Sequence, residues 1–166
     1  MRRTLFCLVI VLALLGLAQS PAQAATFVKL DPVDGQDPDI TKLRIDNGTD
    51  TLVLKLFYVT LPPGSFGGEE VHFGRGPEFA HYVVWTTWNY MTEKWVTHLS
   101  RVTASQEFQD LPCEGLKRFR DYTANTSRYS IPRTCLPNTA DNLRFWAIAC
   151  GPGCDEVAPT RFIARG

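Results

Sequence analysis

No window of helical length in this sequence carries an apolar stripe at spacings of three and four, so little helix is expected beyond the first two dozen residues. The longest uncharged apolar run, Leu5 to Ala18, is too short to span a bilayer comfortably. There is no His-x-His, no His-Glu-x-x-His and no phosphate-cradling glycine loop, and Gly64-Ser65-Phe66-Gly67 lacks the second spacer of a nucleophile elbow. His72, His81 and His98 read as isolated, partly exposed strand residues, and Glu69-Glu70 and Glu78 as acids in loops rather than a glycosidase pair. With no coherent acid, base and nucleophile set, no catalytic residue is assigned and an enzyme is not expected. Internal repeats and low-complexity tracts are missing as well.

What is present begins with an export signal. Arg2 and Arg3 form a positive n-region, Leu5 to Ala18 an apolar h-region, and Gln19-Ser20-Pro21 breaks the helix ahead of Ala22-Gln23-Ala24. Cleavage is expected after Ala24, with Ala22 the close alternative. Cys7 lies inside the h-region, so the leader is not of the lipoprotein kind. Removing residues 1–24 leaves 166 − 24 = 142 residues, read as one domain over 25–166. The leader holds two of the 17 basic residues and no acidic one, so the secreted form carries 15 − 17 = −2 charges. That balance suggests neither nucleic acid nor a membrane as partner, and a monomer is expected.

Four cysteines remain, Cys113, Cys135, Cys150 and Cys154, and an oxidising exterior favours disulfides. Of the three connectivities, Cys113 to Cys135 with Cys150 to Cys154 fits best. The midpoint of the first pair falls in the polar turn Thr123 to Ser127, so a hairpin brings the two cysteines nearly opposite each other. A two-residue turn at Ala124-Asn125 would face Asp121 with Arg128; a three-residue turn would face Arg120 with Arg128. In the second pair, Gly151-Pro152-Gly153 supplies the bend of a tight ring.

Strands recur along the rest of the chain. Leu43 and Ile45 alternate with Lys42, Arg44 and Asp46, Asn47-Gly48 signals a turn, and Thr51 to Leu61 reads as a central strand covered on both faces. A short strand passes through Val71 and Phe73. Phe79 to Trp88 and Lys94 to Thr103 form a second hairpin, and further strands are expected near 116–122, 127–131, 143–149 and 161–163. The spacing predicts an all-β chain, an antiparallel, jelly-roll-like β-sandwich.

Two groups of side chains stand out as candidate binding sites. Asp31, Asp34, Asp37 and Asp39 put four carboxylates into a proline- and glycine-bearing loop, a composition suited to calcium, which takes oxygen ligands. Trp85, Trp88, Tyr90 and Trp95 are candidates for stacking on a sugar or another flat ligand, although strand parity sets Trp85 on the face opposite Trp88. Asn47 and Asn125 head formal glycosylation sequons in expected turns.

The acidic loop running into Asp39-Ile40-Thr41-Lys42-Leu43-Arg44-Ile45-Asp46, Val59-Thr60-Leu61, the turn Gly76-Pro77-Glu78-Phe79, Cys113-Glu114-Gly115-Leu116 and Ile131-Pro132-Arg133-Thr134-Cys135-Leu136 together resemble a group of uncharacterised secreted actinobacterial proteins. More distantly, an acidic loop leading into paired strands is similar to DOMON and family 9 carbohydrate-binding sandwiches. That resemblance implies a β-sandwich that binds a ligand, in some members with calcium, and brings no catalytic residue. The expectation is a secreted, non-enzymatic ligand-binding module. The alternatives are a structural or inhibitory protein-interaction domain and a secreted hydrolase.

Overall fold

Side-chain alternation builds two layers. The computed structural model describes residues 25–61, 68–136 and 141–166; the expected leader and Gly64-Ser65-Phe66-Gly67 lie outside the described residues. The strands are β1 (Ala25–Leu30), β2 (Ile40–Asn47), β3 (Thr51–Tyr58), β4 (Gly68–Gly74), β5 (His81–Asn89), β6 (Lys94–Val102), β7 (Phe108–Asp110), β8 (Lys117–Asp121), β9 (Thr126–Pro132), β10 (Asn142–Cys150), β11 (Cys154–Val157) and β12 (Ile163–Ala164). Among the described residues the only helical piece is a 3-10 turn at Arg133–Cys135. One sheet has the order β1-β2-β3-β9-β8, the other β11-β10-β4-β5-β6-β7 with β12 also paired to β10, and every pairing is antiparallel. The expected β-sandwich is the fold.

The inner faces supply the core. Leu43, Ile45, Leu52, Leu54, Leu56, Tyr129 and Ile131 point from the first sheet against Val71, Phe73, Val84, Leu99, Phe145 and Ala147 of the second. Each such large apolar side chain contributes about 1.5–3 kcal/mol by leaving water. Phe73 stacks on Tyr82 at 5.6 Å and on Phe145 at 6.0 Å, which fixes the centre of the second sheet.

The two disulfides are those expected. Cys113 and Cys135 are bonded with Cα atoms 5.2 Å apart, tying the passage from β7 to β8 to the end of β9. Cys150 and Cys154 close the ring between β10 and β11, where the two cysteines are direct cross-strand partners. Two intramolecular disulfides are consistent with an extracellular protein. No helix among the described residues is long and apolar enough to cross a membrane.

Several expectations need correction. The β8–β9 turn spans four residues, because Asp121 pairs with Thr126, and Arg128 faces Phe119 rather than Asp121 or Arg120. Asp121 accepts the amides of Thr123 and Ala124, and Asn125 takes a positive φ, so the longer turn satisfies its own backbone. β3 is central but buried on one face only; Val53, Lys55 and Phe57 on the other are half-exposed. Glu69 and Glu70 sit in β4 rather than in a loop. β1, β7 and β11 have no counterpart among the expected strands. The Asn47 sequon is no exposed turn: Asn47 is buried, donates to the Ile163 carbonyl and accepts from Arg133.

Candidate ligand-binding edge over a buried charge cluster

Period two sends Glu69 inward with Val71 and Phe73, and it becomes the most unusual side chain of the interior, with 0% exposure. Across the sandwich the same parity turns Tyr58 of β3, Ser127 and Tyr129 of β9, and Arg118 and Arg120 of β8 toward it. Glu69 Oε2 accepts from the Tyr58 hydroxyl at 2.7 Å. Oε1 accepts from Ser127 Oγ at 2.5 Å, Tyr129 Oη at 2.6 Å and Arg118 Nε at 2.8 Å. Arg120 Nη2 lies 3.6 Å from Oε2.

One carboxylate thus gathers three hydroxyls and two guanidinium groups, and it bridges the sheets. Burial alone would push the Glu69 carboxyl up, but Arg118, Arg120 and the Ser127 and Tyr129 hydroxyls outweigh it and hold it below the usual carboxylate range. Burial and the Glu69 charge raise both Tyr58 and Tyr129 well above the usual phenol value, so both remain hydrogen-bond donors. The cluster is one positive charge in excess.

That excess supports an aromatic edge. The Arg118 and Arg120 guanidinium carbons lie 5.5 Å and 5.0 Å from the Trp95 ring centroid, a cation–π arrangement. Trp95 meets Trp88 edge to face at 5.5 Å, the two being direct partners across β5 and β6. Trp88 is 38% exposed, and in the hairpin turn beyond it Tyr90 is 85% and Met91 94% exposed. Asn89 Oδ1 accepts the Met91 and Thr92 amides and orders that turn.

Of the four expected stacking residues, Trp88, Tyr90 and Trp95 therefore lie at one end of one hairpin. Trp85 is separated by parity. It faces outward, stacks on His98 at 4.5 Å and donates to Ser100 Oγ, which donates to Asp110.

The histidines differ from the expectation of three isolated, partly exposed residues. His72 and His81 are buried on the outward side of the second sheet, with His72 Nδ1 3.1 Å from His81 Nε2. His81 Nδ1 must donate to the Phe79 carbonyl at 2.8 Å, so its Nε2 accepts from His72 in the neutral ring. His72 Nε2 in turn meets Glu70 Oε2 at 3.0 Å, and Trp146 stacks on His72 at 5.3 Å. Burial is the main reason the His81 imidazole is held below the usual histidine value. Gly74 makes this packing possible: a Cβ there would stand 2.6 Å from His81 Cβ.

In the acidic loop, Asp34 Oδ1 accepts from the Gln36 amide and Asp39 Oδ2 from the Gly35 amide. Asp155 of β11, which sequence reasoning missed, accepts the Ile40 amide at 2.6 Å and the Glu156 amide at 2.8 Å. Burial, followed by repulsion from Asp155, Asp34 and Asp39, raises the Asp31 carboxyl. Among the described residues no group of three or more acidic, histidine or cysteine side chains is placed to hold a metal ion. Asp37 lines a shallow cleft with Val33, Gln36, Val59 and Thr60 and joins no such group.

No family model matches the chain, and no curated protein matches it.

Proposed function

We propose that this is a secreted, non-enzymatic module that holds a ligand carrying flat apolar faces, such as a sugar ring, against Trp88, Tyr90 and Trp95. The carrying observation is that these three rings share one hairpin end while Trp95 is braced from below by Arg118 and Arg120. An aromatic surface already held in place loses little freedom when a ring stacks on it, which favours binding. Export rests on the leader-like residues 1–24 together with the two disulfides. A binding role fits the chemistry of Glu69 better than hydrolysis does, because both of its oxygens are taken by internal donors, leaving it a poor general base.

Tryptophan fluorescence titration against a panel of neutral oligosaccharides tests the reading. A hit is expected that Trp88→Ala weakens at least tenfold. No hit, or an affinity indifferent to Trp88→Ala, shifts the assignment to a protein-interaction domain. Calcium belongs to this proposal as an accessory of the acidic loop, where Asp39 Oδ1 is buried without a hydrogen bond. Calorimetric titration with calcium tests it, and the absence of both a binding heat and a rise in melting temperature would strike calcium from the proposal.

A further inference from the structure

The outward face of the five-stranded sheet is unlike the rest of the surface. Its central row runs directly across five strands: Val28 pairs with Arg44, Arg44 with Lys55, Lys55 with Arg128, and Arg128 with Phe119. Three cations therefore stand in register on three neighbouring strands, at the ~4.8 Å strand spacing. Lys42 lies in the row on one side and Lys117 in the row on the other. The Nζ atoms of Lys42 and Lys55 lie 3.8 Å and 4.8 Å from the Phe57 centroid, so two of the five charges are fixed over one ring.

The opposing charge on this face is small. Asp46 pairs with Arg44 at 3.2 Å, and Asp121 is occupied in capping its own turn. Five cations against two carboxylates leave the face at +3, on a secreted chain whose total is −2. Like charges directly opposite one another destabilise a sheet, so folding alone gives no reason for Arg44, Lys55 and Arg128 to share a row. A partner that supplies the missing anions does give one.

We propose that this face binds an acidic polysaccharide, lying across the strands with one acid group per sugar ring. The occupant is argued from charge complementarity and geometry together. Arg44, Lys55 and Arg128 form a line with one cation on each of three neighbouring strands, a spacing close to the length of one sugar ring with its linkage, whereas a lipid surface selects no line. Phe119, 65% exposed, ends the row beside a shallow depression of about 310 Å³ lined by Lys117, Phe119, Arg128 and Ser130, which offers a ring a stacking surface next to two cations. The site is separate from the aromatic edge and does not depend on it.

The test uses the full secreted chain and polygalacturonate, measured by calorimetry at graded salt, with dextran and vesicles containing phosphatidylglycerol alongside. Binding to polygalacturonate but not to dextran is expected, weakening steeply as salt rises. The triple variant Arg44→Gln, Lys55→Gln, Arg128→Gln should lose at least tenfold in affinity while its melting temperature holds or rises. A triple of equal charge elsewhere, Arg75→Gln, Lys94→Gln, Arg101→Gln, should keep most of the affinity. Equal losses in the two triples, binding to vesicles but not to the polymer, or no binding at low salt would each overturn the proposal.

Discussion

Replacing Glu69 by glutamine keeps the shape of the side chain and removes its charge. Arg118 and Arg120, whose side chains are 8% and 5% exposed, then remain between the sheets with no carboxylate facing them. Breaking a buried ion pair from one side costs about 3–5 kcal/mol. At roughly 3 °C per kcal/mol for a chain of this length, Glu69→Gln is expected to lower the melting temperature by ~10–15 °C. Exchanging the whole cluster, Glu69→Leu with Arg118→Met and Arg120→Met, should recover much of that loss, since apolar replacements of buried ion pairs are often nearly neutral. Acid dependence gives a second signature. The Glu69 carboxyl sits below its ordinary value of 4.5, so its contribution is complete above that pH and disappears as the pH falls through the folded-state value. The gap between wild type and Glu69→Gln should therefore close in strong acid. Thermal melts at pH 7 and pH 2.5 read both effects. A loss at neutral pH below ~1 kcal/mol, the level of an exposed pair, would refute the view that this cluster holds the sheets together.

Two further predictions concern packing and crosslinking. Gly74→Ala places a methyl group 2.6 Å from His81 Cβ and 3.1 Å from its Cα, and backbone cannot yield as a flexible tip would. Overpacking of this kind costs about 1–3 kcal/mol, so urea denaturation should show a lower midpoint, with a changed Trp146 emission as His81 moves off the indole. Cys113→Ser with Cys135→Ser opens a loop of 22 residues, worth roughly 3 kcal/mol of chain entropy. Unchanged denaturation would mean that β8 and β9 hold that crossing without the bond.

The legible parts of the fold are those written in local alternation and turn chemistry. Leu43 and Ile45 alternate with charged residues and Asn47-Gly48 follows, so the β2–β3 hairpin is apparent from the chain alone. β1 is not, because Phe27 faces inward while Val28 and Leu30, equally apolar, face outward and blur the period. β11 carries Asp155 and Glu156, poor strand formers, and beyond its pairing with β10 it is tied across to β2 by a bond between Asp155 and the Ile40 amide 115 residues away. The charge cluster is hidden for a related reason: Gly67-Gly68-Glu69-Glu70 has the composition of a loop, and the donors that make Glu69 tolerable lie 11 to 60 residues distant. A usable signal did exist in β8 and β9. Arg118 and Arg120 share parity with Leu116, and their partners Tyr129 and Ser127 share it with the buried Ile131. Two arginines aimed at a core imply a buried acid to meet them.

The order in which strands join has a consequence for synthesis. β3 receives its second neighbour from β9 and β4 from β10, both in the last third of the chain. A polypeptide made from its first residue onward would present β3 and β4 as open ladders until those late segments arrive. Such unpaired rims invite stray pairing between molecules. Production of this protein should accordingly depend on what shields the emerging half, and truncations near residue 125 should yield aggregates instead of a smaller folded unit.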